Sequence, residues 1–509
     1  MYGEPDPILL PIPFTSSHSY AQALIDFAQR YTHLITPHIV DFFTLPERSW
    51  ELIDSTWREA LESASNDDLL RMASQSECKD EWPESLKEFV KEAKMLSLPR
   101  EKRSQEKDIL KISDSIADFN PLCLHGMTSK KLHEVEIMSE LIAKIAKEQG
   151  IRKVIDLGAG QGYLSRFLAL RGLDVLAVDA CEVQTCGAQK FQARLSKTLK
   201  GKSPPASASS TPTIEEEEAL LAEFAAGRLR HITWKVTPQT APDLLQEMQC
   251  GDDKAEEGWL VCGLHACGDL TPLMLRLFTQ QSEIRCVVNV GCCYHFLTEK
   301  FETKKPGEDV SRGTDCFPMS EHLKSARVTL GRQARMLSCQ TPWRWISQRD
   351  ETLESFKHHF YRALLQYIMV EKGLCTPGEA PTIGRLRPRH FRNFRSYCEA
   401  SLRRLRSRSL TTTPTLEQAD EDIDEGGLAW KAGEELLHDC EKYHERFHPW
   451  GLRRVTVFWA LRSILGPVLE SLILLDRMLY LQEQGVQAQM WPLFDRVISP
   501  RNFVVVGIK

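Results

Sequence analysis

Val154-Ile155-Asp156-Leu157-Gly158-Ala159-Gly160-Gln161-Gly162-Tyr163 is the stretch on which the fold turns. A short apolar run ends in three glycines spaced two apart, and a helical pattern from Tyr163 to Leu170 follows at once. A second apolar run, Asp174 to Val178, ends in Asp179. Strand, glycine loop, helix and strand in that order make one βαβ unit. The glycines let the backbone turn sharply and come close to a ligand where a side chain would collide.

The spacing narrows the ligand. An acid at the end of the next strand, Asp179, can accept hydrogen bonds from both ribose hydroxyls of a nucleoside. Dinucleotide binders favour G-x-G-x-x-G, which seats a pyrophosphate on a helix N-terminus. Here the spacing is G-x-G-x-G with Asp156 just before it, and an anion beside a pyrophosphate is unfavourable. Beside an amino group or a sulfonium it is welcome, and S-adenosyl-L-methionine carries both and no phosphate. The candidate cofactor contacts are Asp156, Gly158, Gly160, Gly162, Tyr163 and Asp179.

Outward from this unit, strand-like runs recur at His231 to Val236, Trp259 to Leu264 and Ile284 to Val290, separated by helical segments. That is the pattern of a parallel sheet covered on both faces. The expected class is α/β, a Rossmann-like sheet ending in an antiparallel hairpin formed by the last residues, with a tight connection between its strands. Four segments are expected: a helical region at 1–120; the cofactor-binding domain at 121–300, interrupted by a disordered insertion at 200–218; a helical and basic insertion at 301–450 with an acidic loop at 409–427; and 451–509, a helix and hairpin completing the fold. Thr128 is placed to cap a helix running to about Gly150.

In open α/β sheets ligands settle outside the carboxyl ends of the strands. After the fourth and fifth strands come Gly263-Leu264-His265-Ala266-Cys267-Gly268-Asp269 and Asn289-Val290-Gly291-Cys292-Cys293-Tyr294-His295-Phe296. His265, Asp269, Tyr294 and His295 are therefore the candidate catalytic residues. Methyl transfer needs mostly positioning, with a base only where the acceptor loses a proton, and an imidazole suits that task. The thiols and imidazoles here are also of the kind zinc takes. The adjacent Cys292-Cys293 pair is not a C-x-x-C knuckle, however, and no metal is expected.

At these residues the chain resembles the methyltransferase-like 25 family, through MTSKKLHEV at 127–135, VIDLGAGQGYLS at 154–165, GLHACGDLT at 263–271 and VGCCYHFLTE at 290–299. The resemblance implies a Rossmann-like methyltransferase using S-adenosyl-L-methionine. More distantly, Lys130-Lys131 with His133-Glu134 and the CC-x-H pattern are similar to a family of transfer RNA ribose 2'-O-methyltransferases. An adenine N-methyltransferase would place an Asn-Leu-Pro-Tyr or Asp-Pro-Pro-Tyr motif after the fourth strand, where this chain has His-Ala-Cys-Gly-Asp.

Arg385 to Arg408 contains nine arginines and one glutamate, interleaved with Phe391, Phe394 and Tyr397. Cations for phosphates and aromatics for stacking fit RNA. The same segment also fits an exposed basic helix or a partner for the acidic stretch at 418–425. Lys130, Lys131, His133, Arg389, Arg392 and Arg395 are the candidate substrate contacts. The favoured function is an RNA methyltransferase. A protein or small-molecule methyltransferase and a non-catalytic binder of the cofactor or RNA are the alternatives.

Bulk properties name no partner: 42% of residues are hydrophobic, 26% are charged, and the net charge is −6. The start has no basic and apolar pattern of a signal peptide, so the fifteen cysteines read as reduced thiols of the cytoplasm or nucleus. Residues 455–475 approach the length of a membrane span, which makes membrane association the alternative. Arg462 and Glu470 inside it would each cost roughly 2.5–3.5 kcal/mol near a bilayer centre, and Gly466-Pro467 is expected to interrupt the helix. A buried core helix is the reading adopted.

Overall fold

The computed structural model describes residues 10–101, 126–201, 229–237, 240, 258–301, 315–410 and 428–509. Of the insertion expected at 200–218, residues 202–218 lie outside them and residues 200 and 201 end a helix, while nearly all of the acidic loop also lies outside. The chain divides into two compact units: Met1–Ile25, Ser97–Cys339 and Glu470–Lys509 form the first, and Asp26–Leu96 with Gln340–Leu469 the second.

The first unit is built on a seven-stranded sheet. Its strands are β1 (Lys153–Leu157), β2 (Asp174–Asp179), β3 (Leu229–Thr233), β4 (Trp259–Cys267), β5 (Ile284–Cys292), β6 (Gln487–Pro492) and β7 (Phe503–Ile508). They lie in the order β3-β2-β1-β4-β5-β7-β6. The first five pair in parallel, and β7 runs antiparallel between β5 and β6. After β3 the chain restarts on the far side of β1, so a crevice opens at the carboxyl ends of β1 and β4, the place where such sheets take ligands.

The strands are apolar on both faces because helices cover both. Val154 and Ile155 of β1, Leu260 and Val261 of β4, and Val287 and Val288 of β5 are all fully buried. At roughly 1.5–3 kcal/mol for each large apolar side chain removed from water, this ladder is a main source of stability. Four helices position the site: α1 (Ser129–Glu148), α2 (Tyr163–Leu170), α3 (Glu182–Gly201) and α4 (Leu270–Gln280). Thr128 caps α1 as expected, its side chain accepting from the Lys131 amide at 3.2 Å. Val135, Met138, Leu141 and Ile142 turn the buried face of α1 onto the sheet core.

The closing hairpin is present, but its connection is not tight. Ten residues, 493–502, separate β6 from β7. Asp495 organises them by accepting from the amides of Val497 at 2.7 Å and Ile498 at 3.2 Å. The Leu493 amide closes the loop onto the Asn502 carbonyl at 2.6 Å.

The second unit joins segments that the sequence reading kept apart. Helices Ser55–Ser63, Asn66–Gln75 and Glu84–Leu96 group with Arg349–Glu371 and Phe394–Leu410. Long-range packing is the reason. The Phe42 and Phe458 rings meet at 5.3 Å, Ser74 donates to the Pro342 carbonyl at 2.6 Å, and Arg349 pairs with Asp67 at 2.8 Å.

Helix α5 (Leu428–Glu483) contributes residues to both units, and it passes through Gly466-Pro467 without a break. Proline costs about 3 kcal/mol inside a helix. Burial of Leu461, Leu465, Val468, Leu469 and Leu472 on the flanking turns offsets that cost. The helix from Glu435 to Glu483 is long and apolar enough to cross a membrane, and 94% of its most apolar window is buried within the protein. Arg462 donates to the carbonyls of Leu34 at 2.8 Å and Ile35 at 3.0 Å, and Glu470 pairs with Arg100 and Arg501.

Candidate functional site

The glycine loop has the conformation its composition calls for. Gly158, Gly160 and Gly162 have φ of +77°, +55° and +67°, the left-handed region that other residues enter at a cost. The amides of Gly158 and Ala159 donate to the Val178 carbonyl, which hangs the loop on β2. A β-carbon on Gly158 would come within 2.9 Å of Leu270, and one on Gly162 within 2.5 Å of the buried His231 ring. At Gly160 it would meet nothing within 4 Å. The loop is packed from behind at two glycines and open at the middle one.

Asp179 fixes that opening. Its Oδ2 accepts from the Gly160 amide at 2.9 Å and its Oδ1 from the Cys181 amide at 2.8 Å. Each oxygen keeps a further lone pair for an incoming hydroxyl. Tyr163, half-buried, donates to the Gly126 carbonyl at 3.3 Å. Asp156 is placed differently from the expectation. It is buried behind the loop, accepts from Ser165 Oγ at 2.6 Å, and is pushed up to about 6 by burial. It therefore holds the first turn of α2 and does not front the opening.

Across the crevice, the ends of β4 and β5 bring side chains together through an irregular backbone. His265 has φ +64° and Cys293 has φ +49°, two of the four non-glycine residues with positive φ among those described. The β4–β5 register shifts between Leu264 and Ala266, at His265. His265 Nε2 lies 2.9 Å from Glu134 Oε1, which also accepts from Ser499 Oγ at 2.6 Å and faces Lys130 Nζ at 3.6 Å. Burial opposes ionisation of Glu134, but the hydrogen bonds and charges of these neighbours outweigh it and hold the carboxyl at about 2.

The other candidates separate. Asp269 accepts from the Thr298 amide at 2.8 Å, tying the loop after β5 to the start of α4. His295 is half-buried, with Nδ1 3.5 Å from Cys339 Sγ. Tyr294 turns away from the crevice into the interior. Its hydroxyl donates to Glu470 at 2.9 Å and its ring lies beside the guanidiniums of Arg477 and Arg501, fully buried, so burial pushes its phenol far above the ordinary range. Cys267, Cys292 and Cys293 bring their sulfurs to 3.1, 3.4 and 3.5 Å of one another.

Lys130 is exposed, and Lys131 Nζ lies 5.9 Å from the Tyr163 ring centre. His133 accepts from the Asp495 amide at 3.2 Å, so it anchors the 493–502 loop. Arg389, Arg392 and Arg395 belong to the second unit and are exposed, Arg395 pairing with Glu399 at 3.1 Å. Phe394 and Tyr397 are 3% exposed and pack on Tyr361, which removes them as stacking platforms. Ser499 is a site residue that the sequence reading did not single out, and Glu134 entered it only as part of the His133-Glu134 resemblance, with no role given. The signal for Glu134 was an acid on the apolar face of α1, one position after His133.

A methyltransferase domain profile matches residues 130–300. Two relatives named "Probable methyltransferase-like protein 25" align with nearly the whole chain. The mouse protein is 27% identical over 98% of this chain and 98% of its own length, and the human protein 28% over 98% and 99%. The likeness to the methyltransferase-like 25 family thus extends along the whole chain, and the part of the α/β fold at residues 130–300 matches a methyltransferase domain.

Proposed function

We propose that this chain transfers a methyl group from S-adenosyl-L-methionine to an RNA acceptor held over the ends of β4 and β5. The observation that carries the reading is the open space at Gly160, edged by the Asp179 carboxylate and closed behind by Leu270 and His231. That is room for a nucleoside with a carboxylate ready for its ribose. The cofactor supplies a methyl already activated by a sulfonium, so the protein's part is orientation and removal of a proton. With Nε2 donating to the ionised Glu134, His265 keeps its Nδ1 lone pair for a proton leaving a hydroxyl acceptor. Glu134 is then a positioning residue, itself held by Ser499.

RNA as the acceptor rests on the exposed Arg385, Arg387, Arg389, Arg392, Arg395 and Arg403, on the exposed Lys130, and on the likeness to ribose 2'-O-methyltransferases. The burial of Phe394 and Tyr397 supports a second reading, a protein or small-molecule acceptor. Calorimetry on the full chain is expected to give saturable heat with S-adenosyl-L-methionine, weakened at least about a hundredfold, or roughly 2.7 kcal/mol, by Gly160→Arg or Asp179→Ala. Saturation by a nicotinamide dinucleotide, with no heat from the sulfonium compound, would end the cofactor reading. Transfer of labelled methyl to fractionated RNA and protein from cells lacking this chain separates the two acceptors.

A further inference from the structure

The sequence reading set the cysteines at the ends of β4 and β5 aside as a metal site because an adjacent pair does not have the spacing of a knuckle. The fold removes that objection. Consecutive residues of an extended strand point to opposite faces, yet the sulfurs of Cys292 and Cys293 are 3.5 Å apart. Cys293 leaves the strand in the left-handed conformation, φ +49°, which turns its side chain back beside its neighbour's. The register shift at His265 sets Cys267 directly opposite Cys292, and their sulfurs are 3.1 Å apart. The third edge, Cys267 to Cys293, is 3.4 Å.

Thiols used as small hydrophobes are buried. Here Cys267 is exposed and Cys293 half-buried, and only Cys292 is inside. A disulfide within the trio would need one pair to close to about 2.0 Å and would leave the third thiol idle. A zinc ion with Zn–S bonds of about 2.3 Å asks for a triangle with edges of about 3.8 Å, about 0.3 to 0.7 Å longer than the edges of 3.1, 3.4 and 3.5 Å present.

We propose that Cys267, Cys292 and Cys293 bind a soft divalent cation of the zinc class as three thiolates, with the fourth position facing solvent on the exposed Cys267 side. Binding releases the thiol protons to water, and no electron is transferred. Three protein ligands and one exchangeable position are what zinc sites that act on a substrate have in common. The ion would pin the ends of β4 and β5 together on the face proposed for the acceptor. The proposal does not depend on which cofactor or acceptor the chain uses.

The test is zinc content of the full chain, purified reduced and without chelator, then loaded with zinc and dialysed. About one zinc per chain is expected, lost in Cys267→Ser and Cys293→Ser and kept in Cys78→Ser. Replacing zinc with cobalt should give the intense thiolate-to-metal charge-transfer absorption, absent from the two variants. Because Cys267 is at the surface, Cys267→Ser should keep the far-ultraviolet circular dichroism of the parent, which separates lost metal from lost fold. Metal-free protein after loading, equal retention by Cys267→Ser, or a Cys267–Cys292 disulfide in the metal-free chain by mass spectrometry would each overturn the proposal. Calorimetry with S-adenosyl-L-methionine on the same samples reports independently on the cofactor site.

Discussion

The two sides of the crevice are made by different means. At the end of β1 the site is backbone: three left-handed glycines, amides aimed at Val178 and Asp179, and an opening that exists because Gly160 has no side chain. At the ends of β4 and β5 it is side chain, with His265 held by Glu134 from α1, and Glu134 in turn held by Ser499 from the 493–502 connection. Beneath them, Tyr294 stands on a buried cluster of charges. A backbone site can be read from local composition. A side-chain site depends on partners that only the fold assembles, and it should be the more fragile of the two.

The harshest way to break the comparison is Glu470→Ala. This carboxylate is buried and is shared by Arg100, Arg501 at 2.7 Å and Tyr294 at 2.9 Å. Removing it leaves two buried guanidiniums without their common anion, which should cost about 3–5 kcal/mol in denaturant unfolding. In the fraction that stays folded, cofactor affinity should change by no more than about twofold, because the glycine loop hangs on Val178 and Asp179 whereas the cluster is built on Glu470. A large loss of affinity would mean that the two sides are not independent.

Next in size is a pH effect. Glu134 ionises at about 2 in the folded chain against an ordinary 4.5, so its contribution to stability, about 3 kcal/mol, is complete above pH 4.5 and is lost as pH falls towards 2. Glu134→Gln should be less stable than the parent at about pH 6, with the gap narrowing at about pH 3. A gap that stays constant across that range, measured by chemical denaturation, would remove Glu134 as the anion that holds His265.

Smaller again is a contrast within the loop. Gly160→Ala should cost only the strain of a left-handed alanine, about 1–2 kcal/mol. Gly162→Ala adds the collision with His231, about 1–3 kcal/mol more. Yet Gly160→Ala, the milder change for stability, should be the one that narrows the cofactor opening directly. Equal thermal shifts for the two variants would contradict the packing described behind Gly162.

These contrasts also mark what could be read in advance. The βαβ unit, the α/β sheet, the Thr128 cap and Asp179 on the cradle were legible because glycine spacing, capping and alternation of apolar runs are local. Tyr294 was misplaced because a phenol beside two candidate histidines looks like chemistry, whereas its hydroxyl is taken by Glu470, 176 residues away in sequence. Asp156 was aimed at the ligand, but Ser165, nine residues on, turns it into the support of α2. Phe394 and Tyr397 alternate with arginines in the sequence and sit in the core of the second unit. Helix α5 continues through a proline because tertiary burial outweighs one lost hydrogen bond.

The smallest effect probes the residue least visible in the sequence. Ser499 lies in the ten-residue connection that reads as a tight turn, yet it is fully buried and donates to Glu134 at 2.6 Å. Ser499→Ala removes one donor from a carboxylate that retains His265 and Lys130, so about 1 kcal/mol of stability should go. Because the anion then keeps His265 as its main partner, methyl transfer should fall less in Ser499→Ala than in Glu134→Gln, and a Ser499→Thr variant that restores the hydroxyl should recover it. If Ser499→Ala instead lowers transfer as far as Glu134→Gln does, the hydroxyl orients the carboxylate, and the end of the chain belongs to the acceptor side as fully as β4 does.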